Sequence, residues 1–205
     1  LVDLRERAHV GLGAGSSLET AMSVAASVGV HLLRRGFEVT VVDADGEPLV
    51  SDSPTGDAEG TLLDALAVAG ATTATSVAAH AATVRRQVGD GLLVAVVGGL
   101  DLADAERLAG LRQGTATGLA VLLDTDRWSV PPGARGQGGG HGGTGSSPRA
   151  GAAAALLRAA GWRVAVAGPG DTVAGLWSSL GRGGDPAGGT PDPGPRVPEG
   201  VGGPR

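Results

Sequence analysis

Three carboxylates, Asp3, Asp101 and Asp124, each stand just past an apolar run that reads as the end of a strand. In open α/β sheets ligands bind beyond the carboxyl ends of the strands, and three oxygen donors gathered there would suit magnesium or manganese. Arg5, Arg7 and Arg127 lie close by in sequence and could neutralise the same carboxylates. A second set is a glycine run. Gly11, Gly13 and Gly15 precede a helix start, and a strand running to Asp43 follows that helix. That is the outline of a nucleotide-binding Rossmann unit, an enzyme-like alternative for this chain. The spacing is G-x-G-x-G, however, and the charged segment LRERAH separates the glycines from the strand they should follow.

Other chemistry has less to start from. His9, His31, His80 and His141 form no H-x-x-x-H pair, and none neighbours a promising serine. The chain contains no G-x-S-x-G elbow, so an α/β-hydrolase nucleophile is missing. Trp162 and Trp177 flank the last strand and helix as core anchors, while Trp128 opens a glycine-rich segment. These leave no aromatic platform for stacking single-stranded nucleic acid.

The elements that must position such residues are organised around segment 16–46, a buried helix running into a core strand. Ser16 with Glu19 makes a capping box, which predicts a helix from about Ser17 to Arg35. Leu18, Met22, Ala25, Gly29, Leu32 and Leu33 recur at helical spacing as the inward stripe, and Val24, Val28 and Val30 extend the apolar surface. Arg34 and Arg35 complement the helix dipole, and Gly36 supplies a left-handed cap. Phe37 to Val42 reads as a strand, with Asp45-Gly46 turning into a short antiparallel edge at Pro48 to Val50.

Downstream the alternation repeats. Helices are expected at 61–69, 77–88, 102–111, 149–160 and 171–180, the last with Asp171 as its N-cap. Buried strands are expected at 92–97, 119–123 and 163–167, and Leu1 to Asp3 reads as the end of another strand. The pattern implies a three-layer α/β/α sandwich with a mainly parallel sheet, one domain spanning 1–128 and 149–180. The glycine-rich segment 129–148 is expected to be a disordered insertion, and 181–205 a disordered tail.

Composition narrows the class. At 205 residues the chain is long enough to bury a core. A net charge of −5 argues against a nucleic-acid footprint. With no cysteine there is neither disulfide nor thiolate chemistry. No run reaches the roughly 18 apolar residues of a membrane span. Because Leu1 opens inside strand-like sequence, the chain reads as the C-terminal portion of a longer protein.

The runs VDLRERAH, GSSLETAMSVAASVGVHLLRRGFEVTVVDADG, LLDALAV, GLLVAVVGGLD and GLAVLLD resemble the C-terminal half of the domain of unknown function 58 family over about residues 1–180. That half is similar to a von Willebrand factor A domain. In such domains a metal-ion site uses D-x-S-x-S after the first strand and a second aspartate after the fourth. Asp3 and Asp101 take the two aspartate positions, and Arg5 and Arg7 replace the two serines, so the resemblance implies a degenerate metal site.

The resemblance further implies a non-enzymatic protein-interaction module without a resident cofactor, on the cytoplasmic side of N-terminal transmembrane helices. It would work with a MoxR-type AAA+ ATPase in assembly or maturation of partner complexes. The residues expected to converge on a partner-binding edge are Asp3, Arg5, Arg7, Ser16, Ser17 and Asp101.

Overall fold

The computed structural model describes residues 1–49, 57–77, 81–88, 91–129 and 145–182. Its first long element is helix α1, Ser17–Arg34, which starts and stops close to where its caps place it. Ser16 Oγ accepts the Glu19 N–H at 3.1 Å. The reciprocal half of the expected capping box is replaced, because the Ser16 N–H already donates to Gly13 O at 2.9 Å. Gly36 adopts φ 82° and ends the helix in the left-handed region, where a Cβ would be strained. The buried stripe is Ser17, Ala21, Val24, Ala25, Val28 and Gly29, rotated from the expected one. Leu18, Met22, Leu32 and Leu33 flank it, partly buried. Small and β-branched residues face the sheet because the helix lies close against it, and the longer side chains spread at the margins.

Three parallel strands form the described sheet, in the order β1 (Leu92–Val97), β2 (Thr117–Leu123) and β3 (Arg163–Ala167). Leu93 pairs with Gly118, and Ala120 with Val164. Segment 1–3 extends the sheet beyond β1. Val2 bridges Val96 in parallel, and the Val2 N–H donates to Val42 O at 2.8 Å on its other side. The expected strand at 37–42 is reduced to Val42, which bridges Pro48 in the antiparallel sense; Val50 lies outside the described residues. Phe37 is 55% exposed, so the amino end of that segment is not covered as a core strand would be.

Alternation along the strands divides the interior into two cores. Val96, Leu119, Val121, Leu123, Ala165 and Ala167 face one way, toward α1, α2 (Ala58–Val68) and α7 (Val173–Arg182). Leu93, Ala95, Val97, Ala120 and Leu122 face the other, toward α3 (Ala81–Val88), α4 (Leu102–Ala109) and α6 (Pro148–Ala159). The result is helices on both faces of a parallel sheet, as the sequence predicts. A one-turn helix, α5 (Thr125–Trp128), follows β2.

Some boundaries move. Thr172, not Asp171, caps α7: its Oγ1 accepts the Gly175 N–H, while Asp171 Oδ2 accepts the Gly168 N–H. Pro148 opens α6 and residues 181–182 close α7, so both belong to the fold and not to the insertion or tail. Of the expected insertion 129–148, residues 130–144 lie outside the described residues, as do 183–205 of the tail, His80 and His141. No helix among the described residues is long and apolar enough to cross a membrane.

Trp162 seals the face under α4 and α6, with its indole N–H donating to Ala109 O at 3.3 Å. Trp162→Ala should cost about 3–5 kcal/mol through the cavity it leaves. Leu63→Ala, on the exposed face of α2, should change stability by less than ~0.5 kcal/mol. Urea unfolding of the two variants checks the contrast.

Candidate functional site

At the carboxyl end of β1 the chain must satisfy a guanidinium with no access to water. Arg5 is fully buried, as are Asp3 and, to within 1%, Asp104. Gly98 lets this happen. A Cβ there would overlap Ala8 O, so only glycine allows segment 4–9 to fold over the end of β1. The Gly99 N–H then binds Ala8 O at 2.8 Å, and the Glu6 N–H binds Thr72 O at 2.9 Å.

Arg5 divides its donors between the two acids. Nε and Nη2 each reach Asp3 at 2.8 Å, and Nη1 reaches Asp104 Oδ2 at 2.6 Å. Asp3 takes two further bonds, from the Arg5 N–H and the Gly98 N–H. Asp104 takes three, from the Arg7 guanidinium at 3.0 Å, Arg107 at 3.1 Å and the Val77 N–H at 3.2 Å. An ionised carboxylate offers about four lone-pair sites, so both acids are saturated. Burial alone would raise the Asp104 pKa, but Arg5, the Val77 N–H and Arg7 outweigh it and hold the carboxyl below its usual range. Burial likewise opposes the Arg5 charge, and Asp3 and Asp104 overcome it to raise the guanidinium pKa.

This geometry does not fit the divalent ion that the aspartates suggest. Arg5 occupies the space between the acids, and an ion could reach Asp3 only by displacing a guanidinium held at both ends. Asp101 is not a member of the cluster. It caps α4, accepting the Asp104 N–H at 2.7 Å, and so orients the residue that is. Asp124 is buried elsewhere, accepting both the Ser147 N–H and its Oγ–H at 2.7 Å. Among the described residues no group of three or more acidic, histidine or cysteine side chains could hold a metal.

Ser16 and Ser17 do lie near the cluster, but they serve the helix start. Ser17 Oγ accepts the Val10 N–H at 2.9 Å and lies 3.1 Å from His9 Nδ1. His9 Nε2 is 2.6 Å from Asp3 O, and since a carbonyl only accepts, Nε2 carries the proton and Nδ1 receives the Ser17 hydroxyl. A histidine and a serine therefore meet although nothing in their sequence spacing suggests it. Ser17 is fully buried, so its hydroxyl positions His9 and is closed to a substrate. Burial is the largest influence on His9, and it lowers the imidazole pKa despite the neighbouring Asp3.

The glycine loop has its own local uses. Gly13–Gly15 form a 3-10 turn whose last carbonyl accepts the Trp128 indole N–H at 3.2 Å. Asp43 Oδ1 accepts the Asp45 and Glu47 N–H groups, closing the hairpin turn. The residue that sequence reasoning missed is Asp104. It shares the inward face of α4 with Ala105 and Leu108, and a carboxylate on a helix's apolar face is the signal that would have found it.

Arg5→Met should destabilise the fold by about 3–5 kcal/mol at neutral pH, because two buried carboxylates lose their partner. The deficit should shrink below about pH 4, where the native fold loses the stability that the depressed Asp104 pKa confers; urea unfolding from about pH 5 to 2 reads this directly.

His9 has a folded pKa below its ordinary 6.5, so the unfolded chain binds the proton first. Stability should therefore fall as the pH drops below about 6.5, and His9→Gln should reduce that slope in the same titration. Compared with known proteins, the chain matches no family model, no curated protein and no solved structure.

Proposed function

We propose that the chain is a non-enzymatic protein-interaction module, a von Willebrand factor A-like domain that presents the loops at the carboxyl edge of its sheet to a partner. The observation carrying this reading is a charge-neutralised interior beneath an exposed rim at that edge. Arg5, Asp3 and Asp104 are closed off, while Arg7 keeps half of its side chain in solvent and Leu12 is 96% exposed. Asp101 is exposed as well, beside Leu102 at the start of α4. Such a rim has a rigid base, which limits the ordering cost of binding, and charged groups that fix register.

The pairing order across the sheet supports the fold assignment. From one edge it runs Pro48, Val42, segment 1–3, β1, β2 and β3. Later segments thus add outward on both sides of the first, as in doubly wound folds. Asp3 and Arg5 follow the first segment at the switch point, where such folds bind their ligands. In this reading the Arg5 guanidinium supplies the positive charge that a divalent ion supplies in a metal-dependent adhesion site. Recognition then rests on side chains of the rim.

The partner we propose is a MoxR-type AAA+ ATPase. The chain, used as bait, should retain a purified ATPase of that type in a nucleotide-dependent way. Leu12→Asp should weaken retention about tenfold, a loss of ~1.4 kcal/mol, with an unchanged melting temperature. Arg7→Glu should weaken retention and also lower the melting temperature, because it takes a partner from the buried Asp104 carboxylate. Retention of no ATPase with or without ATP would overturn the proposed partner, and unaltered retention by both variants would overturn the proposed surface.

A further inference from the structure

Asp104 receives more positive charge than it can neutralise. Three guanidinia reach its carboxylate: Arg5 at 2.6 Å, Arg7 at 3.0 Å and Arg107 at 3.1 Å. Asp3 answers the charge of Arg5, taking its Nε and Nη2 donors at 2.8 Å. The single charge of Asp104 is then shared by Arg7 and Arg107. His9, the other titratable group against Asp3, adds no charge at neutral pH, because burial lowers its pKa. The cluster therefore holds three cations against two anions.

The surplus lies at the surface. Arg7 and Arg107 each keep half of the side chain in solvent, whereas the Asp104 side chain beneath them is 2% exposed. They bind opposite oxygens of the carboxylate, Arg7 at Oδ2 and Arg107 at Oδ1, and so stand on either side of one group. A guanidinium carries five N–H donors, and among the described residues each of these two gives one, to Asp104. The acids that could cancel the surplus do not reach it. Glu6, Asp101 and Glu106 are exposed close by in sequence, and among the described residues none of them pairs with either guanidinium.

We propose that Arg7 and Arg107 form a clamp for one acidic side chain of the partner, whose carboxylate lies across the two exposed guanidinia above Asp104. This deepens the reading of the carboxyl edge as a partner surface, and rests on it for the source of the carboxylate. Charge selects the ligand. A surplus of one positive charge matches one carboxylate, and a phosphate dianion overshoots it. A polyanion is disfavoured further, because the whole chain carries −5 and Glu6 and Glu106 adjoin the two arginines. The planar forks of arginine suit a carboxylate, since paired N–H donors fix its direction as well as hold it. Asp104 also holds both guanidinia in place before the ligand arrives, which lowers the ordering cost of binding.

The test uses the full chain with isotopically labelled arginine, acetyl-glutamate amide as the probe and acetyl-glutamine amide as the uncharged control. At neutral pH the Nε–H resonances of Arg7 and Arg107 should shift together and saturate with the glutamate probe at millimolar concentration. They should stay in place with glutamine. Arg163, exposed at the amino end of β3, should show no saturation. Arg107→Gln should raise the concentration needed at Arg7 about tenfold. That variant also takes a donor from Asp104, so it is titrated well below its measured melting temperature.

In the unaltered chain, independent movement of the Arg7 and Arg107 signals would overturn the clamp. So would an equal response to glutamine, or an equal response at Arg163. Saturation by inorganic phosphate at a lower concentration than by glutamate would overturn the choice of a single carboxylate. None of these outcomes depends on an ATPase, so failure of the clamp and failure of the proposed partner are told apart.

Discussion

The Arg5 guanidinium is the constraint from which the centre of this fold follows. A cation closed off from water is costly unless its partners are charged, close and themselves satisfied. Asp3 and Asp104 meet those terms, and each brings a different part of the chain with it. Asp3 carries segment 1–3, which pairs with β1. Asp104 carries the first turn of α4, the Val77 N–H and the exposed guanidinia of Arg7 and Arg107. One side chain thereby ties together segments up to about a hundred residues apart. Its charge is matched inside, so what reaches the surface at this edge is a rim of loops on a fixed base.

The rest of the architecture serves the same sheet from two sides. Two apolar layers alternate along every strand, one closed by α1, α2 and α7 and the other by α3, α4 and α6. Dense apolar packing on both faces leaves the two ends of the strands as the places where polar or unfinished structure can exist. At the carboxyl end that freedom is used for the Arg5 network and the exposed loops. At the amino end it leaves a cleft beside Leu92 and Val94. The two ends differ chemically, one charged and saturated, the other lined largely by apolar residues.

Much of the fold was legible because local rules and the apolar pattern agree. Ser16, Gly36 and the helical spacing between them bound α1 to within a residue of where it lies. The runs at 92–97 and 163–167 are strands over the residues expected. Where local cues competed, they misled. Asp171 looks like a helix cap, yet its carboxylate is taken by Gly168 N–H, and Thr172 does the capping. Phe37 to Val42 has strand composition, but β propensity counts only where neighbours cover the strand, and on this segment only the last two residues are well covered.

By itself the sequence determined the alternation of helices and strands, the two-sided burial of the sheet and the placement of Asp3 at a strand end. These follow from periodicity and caps, which act over a few residues. Only the tertiary structure decided what the charged residues do. Asp3, Asp101 and Asp124 look equivalent in the sequence, yet one holds a guanidinium, one caps a helix and one binds Ser147. Asp104 joins Arg5 across a separation of 99 residues, and His9 meets Ser17 through the fold of a loop over Gly98. The reason is physical: a carboxylate binds whichever donor the packing of apolar surfaces delivers, and that delivery is a property of the whole sheet and not of the residues beside it.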